Sequence, residues 1–163
     1  MKMRGRALAD CEGANRPSAN CPLLFLAFAP HFHQYRTNPS GKKWYNILYM
    51  TKLLSIIIPS YNMERHLRKC LCSVCIEDGR LLDLLDILVV NDGSTDETSA
   101  IAHEFANRHP SVFRVIDKAN GHYGSCVNRG LVEACGTFVR ILDADDYLDT
   151  NGLKSLLTFL QNI

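Results

Sequence analysis

The sequence predicts an α/β domain built around a mostly parallel sheet, and three observations carry that expectation. From Leu53 onward, short continuous apolar runs rich in β-branched residues alternate with segments whose apolar residues recur at helical spacing. That alternation repeats along the chain in the manner of strand–helix–strand units, not of hairpins. Each apolar run also breaks off into a cluster of polar residues, and right-handed crossovers place such strand-end clusters along one edge of a parallel sheet.

The first run, "LLSIIIP" from Leu53 to Pro59, fits a strand buried on both faces. Asn62 stands where it can cap a helix reaching to about Ile76, with Leu67, Leu71 and Val74 at positions i, i+4 and i+7. A second buried strand, "DILVV", ends at Asn91. In the turn "NDGSTDET", Ser94 and Glu97 have capping-box spacing for a helix that carries Ile101, Ala102 and Phe105 inward and stops before Pro110. Val112 to Ile116 predicts the third strand. After the loop "DKANGHYG" comes a helix from about Ser125 to Cys135 with Gly136 at its stop, then a fourth strand, "TFVRIL". A last helix, around Leu153 to Leu160, has Leu153, Leu156, Leu157 and Leu160 inward.

A chain of 163 residues suffices for one domain with a substantial core, and 47% hydrophobic with 21% charged residues is ordinary for a soluble globular protein. The net charge of +1 hides a split. Residues 1–49 carry seven Lys/Arg against Asp10 and Glu12, whereas residues 50–163 carry eleven Lys/Arg against fifteen Asp/Glu. The acidic second part argues against a nucleic-acid partner. Seven cysteines without a regular framework suit a reducing compartment better than a disulfide scaffold. Cys70 and Cys72 project about 200° apart on their helix and cannot share one ion, so Cys70, Cys72 and Cys75 read as free thiols, buried or half-buried.

Residues 1–49 hold four of the six prolines and one apolar run, "LLFLAFA" from Leu23 to Ala29, far short of the ~20 residues of a membrane span. With "MKMRGR" ahead of it the run has signal-peptide order, although the polar stretch between is long. Met50 opens "MTKLLSIIIPSYN", which reads as a natural start. Residues 1–49 are therefore expected to be a disordered or mis-called extension, and 50–163 the domain.

In parallel sheets of this kind, ligands bind beyond the carboxyl ends of the strands. The strand ends here are Pro59-Ser60-Tyr61-Asn62, Asn91-Asp92-Gly93-Ser94, the "NGHYG" loop, and Asp143-Ala144-Asp145-Asp146. Together they predict one pocket. Three carboxylates within four residues repel one another unless a cation or hydrogen-bond donors sit among them, and a divalent cation is their natural companion. No GxGxxG follows the first strand and no GxxxxGK[ST] occurs, so a nucleotide held by Asp92 and a metal fits a sugar nucleotide best. Plainer readings stand beside these: an isolated acidic turn is a solvated turn, Tyr61 a packing residue at a strand end, and Glu64 a favourable charge in a first helical turn. Arg129 then lies on a solvated helix face or near a phosphate, and Gly130 and Gly136 serve close packing and helix termination.

Taken in order, "SIIIPSYNMERHLRKCLCSV", "ILVVNDGSTDET", "NGHYGSCVNRGLVEACG" and "FVRILDADDYLD" resemble the family 2 glycosyltransferases of the GT-A fold, a Rossmann-like three-layer sandwich. The resemblance runs from about Leu53 to Leu160. It implies a nucleotide-sugar donor such as a UDP-sugar, a Mg or Mn ion, and transfer with inversion at the anomeric carbon to a glycan or lipid-linked acceptor. It further implies Pro59 and Tyr61 at the base pocket, Glu64 supporting that loop, and Asp92 bonding the base or ribose. Gly121 and Asn128 would shape the loop and helix start around the nucleotide. Asp143 would face ribose and metal, and Asp145 would ligate the metal, with Asp146 able to share that role. His122, where the family often has a small residue, is either an exposed loop histidine or a phosphate contact.

The family's catalytic base and acceptor walls follow the DxD strand, so they are expected beyond Ile163, and a truncated chain is expected to bind donor weakly and to transfer nothing. A haloacid dehalogenase-like phosphatase also has an acidic strand end, but on its first strand and with Thr or Val where Tyr147 stands here. The other alternative is a non-catalytic nucleotide-sugar-binding or interaction module. The "NGHYGSCVNRG" loop hints, by analogy, at the bacterial polysaccharide-building branch. With nothing long enough to span a bilayer, the expected place is the cytoplasm or, peripherally, the membrane's inner face.

Overall fold

The computed structural model describes residues 52–163 together with Ala27–Phe28. Expectations for the rest of 1–51 lie outside the described residues. In chain order the elements are β1 (Ala27–Phe28), β2 (Leu54–Ser60), α1 (Leu67–Val74), α2 (Gly79–Leu82), β3 (Leu85–Asn91), α3 (Thr98–Arg108), β4 (Phe113–Asp117), α4 (His122–Glu133), β5 (Phe138–Ile141) and α5 (Thr150–Leu160). The sheet has the order β1-β5-β2-β3-β4. β2 runs parallel to both β3 and β5, and β3 parallel to β4, while β1 adds a short antiparallel pair, Ala27 opposite Val139 and Phe28 opposite Phe138.

The strands formed where the apolar runs predicted them because the centre of this sheet is covered on both faces. Every residue of β2 and of β3 is buried. Alternate residues point to opposite layers. Leu54, Ile56, Ile58, Leu85, Ile87 and Val89 pack with Leu67, Leu71 and Val74 of α1, Ala102 and Phe105 of α3, and Leu153 and Leu157 of α5. On the other face Ile57, Leu88, Val90 and Val139 meet Cys126 of α4. A Cβ at Gly130 would lie 2.4 Å from Ile57 Cγ2, so glycine lets α4 approach β2 closely. Three layers result, as the GT-A resemblance implies.

Two helix starts differ from the local patterns. Asn62 does not cap α1, which begins five residues later at Leu67; it adopts φ 53 and spends its amide on the β3 loop instead. Ser94 and Glu97 form no capping box. The Ser94 hydroxyl accepts from the Asn62 N–H at 3.0 Å, and the carboxylate serving the start of α3 is Asp96, which accepts from the Thr98 N–H at 3.0 Å. Helix α4 begins at His122, ahead of Ser125, whose hydroxyl donates back to the His122 carbonyl within the first turn. Cys70 and Cys75 are free thiols, whereas the expected free thiol at Cys72 is disulfide-bonded. Burial pushes the Cys70 thiol up to about 12 and the Cys75 thiol up to about 11. Among the described residues no helix is long and apolar enough to cross a membrane.

Candidate functional site

At the carboxyl edge of the sheet, β5 leaves its partner early. The β2–β5 ladder ends at Ile57 opposite Ile141, while β2 continues beside β3 to Ser60 opposite Asn91. Pro59 therefore falls where no ladder partner is needed on the β5 side, which suits a residue without an N–H. Beyond this step opens a cleft of about 530 Å³ lined by Pro59, Ser60, Tyr61, Met63, Asp92, Asn120, His122, Tyr123 and Cys126.

The cleft's walls are tied together by side chains of the strand-end loops. After β2 and β3, the loops exchange bonds from Thr95 N–H to Asn62 Oδ1 (2.9 Å), Met63 N–H to Thr98 Oγ1 (2.7 Å) and Glu64 N–H to Asp96 Oδ2 (3.1 Å). Glu64 contributes its carboxylate to the same seam, accepting from the Glu97 N–H at 3.4 Å. Glu64 lies outside the cleft lining. One strand over, Asp117 accepts from Asn91 Nδ2 (2.7 Å) and the Ser99 hydroxyl (2.8 Å) and pairs with His103. Asn91, next to Asp92, is thereby fixed.

Asp92 is the cleft's buried charge, 2% exposed. Its Oδ1 accepts from Lys118 Nζ and, at 2.9 Å, from the Gly121 N–H. Burial alone would raise its pKa, but these donors outweigh burial and hold the carboxyl below the ordinary range. Gly121 has a steric reason to be glycine, since a Cβ there would meet Ser125 Oγ at 2.7 Å and Lys118 Nζ at 3.2 Å. Gly93, at φ 71, makes the turn that follows Asp92.

On the β5 side, Ala144 is buried in the core and anchors its turn, while Asp143, Asp145 and Asp146 on either side are exposed. The Asp146 N–H donates to the Asp143 carbonyl at 3.0 Å, and Lys69 Nζ of α1 sits 3.6 Å above the Tyr147 ring. Tyr123, which lines the cleft, donates its hydroxyl to Asp143 Oδ1 at 2.9 Å. Burial, and then the hydrogen bond to that carboxylate, push the Tyr123 phenol up to about 12. Asp92 and Asp143 are thus linked through the start of α4, whose Gly121 holds one and whose Tyr123 holds the other.

Of the residues singled out in the sequence, Pro59, Tyr61 and Asp92 line the cleft, Gly121 holds Asp92 at its edge, and Asp143 touches it through Tyr123. Asp145 is exposed on the adjoining turn. Asn128 is exposed further along α4 and is not part of the lining. His122 does line it, at φ 66, and Arg129 pairs with Glu133 along α4. Lys118 and Tyr123 were missed. Lys118 had one signal, as a lone cation in a loop that faces acidic strand ends, and Tyr123 had none beyond its place in "NGHYG".

Among the described residues, no group of three or more His, Cys, Asp or Glu is placed to hold a metal ion by itself. What the β5 turn offers is a pair of hard carboxylate donors, Asp143 and Asp145. Such donors suit Mg²⁺ or Mn²⁺, which commonly bind through one or two carboxylates and complete their shell with phosphate oxygens and water.

Residues 55–163 match the family model described as "Glycosyl transferase family 2". Among curated proteins, the "Uncharacterized glycosyltransferase EpsJ" of Bacillus subtilis is 38% identical over 101 residues, 62% of this chain and 28% of its own length. The chondroitin synthase of Pasteurella multocida is 33% identical over 105 residues, 64% of this chain and 10% of its own. S. aureus TarS 1-349 in complex with UDP-GlcNAc superposes with a TM-score of 0.58 at 30% identity, covering 68% of this chain and 31% of that one. The mannosyltransferase PcManGT from Pyrobaculum calidifontis, in complex with GDP-Man and Mn²⁺, shares the fold with a TM-score of 0.56 at 24% identity, covering 64% and 31%. The chain therefore spans less than a third of the length of these relatives.

Proposed function

Because the chain belongs to glycosyl transferase family 2, we propose that residues 50–163 are the donor-binding part of an enzyme that takes a sugar from a UDP-sugar and passes it, with inversion, to a glycan or lipid-linked acceptor in polysaccharide synthesis. The observation that carries this reading is the pair of linked carboxylates: Asp92 buried in the cleft and Asp143 at its rim, both tied to the first turn of α4. Support for the uridine donor comes from TarS, solved with UDP-GlcNAc at 30% identity.

Each part of the cleft then has a chemical task. Pro59 and Tyr61 form an apolar and aromatic wall against which a base can lie, Tyr61 being 47% exposed. Asp92, ionised and acceptor-only, takes a hydrogen bond from a base N–H or a ribose hydroxyl. Gly121 lets the chain come close at the start of α4, a helix of 12 residues whose N-terminal N–H groups favour an anionic diphosphate. Asn128 contributes only through the helix that it helps to build. Asp143 and Asp145 would hold the divalent cation jointly with the diphosphate. When bound, the cation would supply Lewis-acid stabilisation of negative charge on the leaving group. Lys118 keeps Asp92 ionised within an otherwise unfavourable burial.

Calorimetry of the 163-residue chain with UDP, GDP and CDP, each with Mn²⁺ and with EDTA, tests the reading. UDP binding that strengthens with Mn²⁺ and exceeds that of CDP and GDP is the expected result. An absence of nucleotide binding, or binding indifferent to both metal and base, rejects it.

A further inference from the structure

The donor-site reading leaves one contact without a task. Tyr123 reaches from the first turn of α4 to the Asp143 carboxylate on the far rim, and its hydroxyl donates to Oδ1 at 2.9 Å. Asp143 is an exposed residue whose backbone is fixed by the buried Ala144 beside it, but backbone anchoring does not set the rotation of the carboxylate itself. A phenol can set it, because tyrosine has only two side-chain torsions and its hydroxyl gives a directed bond. Tyr123 cannot be needed for filling the core, since it is 55% exposed. Gly121, the residue just ahead of that helix, gives its N–H to Asp92, so the start of α4 holds both carboxylates of the cleft.

We propose that Tyr123 is a positioning residue that presents Asp143 to the metal-bound diphosphate, so that the metal-dependent share of donor binding depends on a hydroxyl of α4. This rests on the donor-site reading above. Carboxylates that ligate cations are themselves hydrogen-bonded, and loss of such an outer partner typically weakens metal affinity by about 10- to 100-fold. The exposure of this pair puts the expectation at the lower end of that range. The aromatic ring contributes separately, as part of the cleft wall, and Tyr123→Phe leaves it in place.

The test compares UDP binding by the wild type, Tyr123→Phe, Asp143→Asn and the double variant, each with Mn²⁺ and with EDTA, and follows Mn²⁺ binding by electron paramagnetic resonance. Tyr123→Phe is expected to keep its metal-free UDP affinity within about twofold while the gain from Mn²⁺ falls by about tenfold. Its urea midpoint should stay with the wild type. In the double variant the two losses should not add, because both act on the same carboxylate. The proposal is overturned if Tyr123→Phe retains the Mn²⁺ gain, if it loses metal-free and metal-assisted affinity alike, or if the losses add in full. A wild type that binds no UDP, or binds it without regard to Mn²⁺, removes the donor-site reading and this inference with it. A wild type with normal metal-dependent binding and an unaffected Tyr123→Phe removes this inference alone.

Discussion

Strand β3 has a buried aspartate at each end, and the two are held in different ways. Asp86 and Asp92 are both 2% exposed. At the amino end, the Asp86 carboxylate accepts from Ser55 Oγ (2.6 Å), Arg114 Nε (2.9 Å) and Nη2 (3.0 Å), and the Cys135 N–H (3.0 Å). Arg114 Nη2 also donates to the Glu133 carbonyl at 2.7 Å, and Ser55 Oγ accepts from the Gly136 N–H at 2.8 Å. These bonds fasten the end of α4 and the approach to β5 onto the sheet. At the carboxyl end, Lys118 and the Gly121 N–H converge on one oxygen of Asp92, and the residue borders a cleft. A buried charge whose two oxygens are both engaged by the fold is scaffold. One that borders a cleft is placed to meet a ligand.

The largest effect that can break this comparison lies at the amino end. Arg114→Leu strips two donors from a carboxylate that stays buried, and leaving such a charge short of its half-exposed partner costs about 2–3 kcal/mol. The urea midpoint should fall accordingly, with UDP affinity per folded molecule unchanged. A variant with an unshifted midpoint, or one that is stable but has lost UDP binding, would invert the assignment of the two ends. Next in size is Asp92→Asn, which removes the charge but keeps an acceptor for Lys118 and Gly121. UDP affinity should drop by about tenfold, the worth of a hydrogen bond to a charged group, and the Lys118 ammonium left without its counter-charge should lower stability by about 1–2 kcal/mol. A large loss of stability with UDP binding preserved would make Asp92 scaffold like Asp86.

The strands and the two buried faces were legible because β2 and β3 are covered on both sides, so burial wrote itself into the residues as continuous apolar runs. Asp92 and Asp143 stood out because each follows a buried apolar run within two residues, at strand ends that fall on one edge of the sheet. What local pattern could not supply were contacts made across the loops. Ser94 and Glu97 have the spacing of a capping box, yet the Ser94 hydroxyl is taken by Asn62, thirty-two residues away in sequence. Asn62 looks like a cap for the same reason that it is not one: a short amide side chain tolerates positive φ, and here it closes a seam between two loops. Lys118 and Tyr123 gain their meaning only when β4 and α4 are laid beside β3 and β5. Arg114 likewise appears in its strand as an ordinary half-exposed position until Asp86 is seen beneath it.

The smallest expected effect concerns acid, and it bears on the carboxyl end of β3. Burial pushes the Asp92 carboxyl up, yet bonds from Lys118 and Gly121 bring it below its ordinary value of 3.8. Asp117 is likewise depressed, by Asn91, His103 and Ser99 against the opposing effect of burial, and so is Asp96, by Thr98 and the Glu64 N–H. A carboxyl depressed by folding takes up its proton first in the unfolded chain. Its contribution to stability is therefore complete above the unfolded value and drains away as pH falls through the folded one. All three groups sit at the carboxyl edge, so that edge should loosen first in acid. Urea midpoints should be level from neutral pH down to about 5 and decline below about 4. In Asp92→Asn the decline should be shallower. If Asp92→Asn follows the wild-type curve in acid, the Lys118–Asp92 pair is too well solvated to count, and the cleft's charge would have to be credited to ligand binding alone.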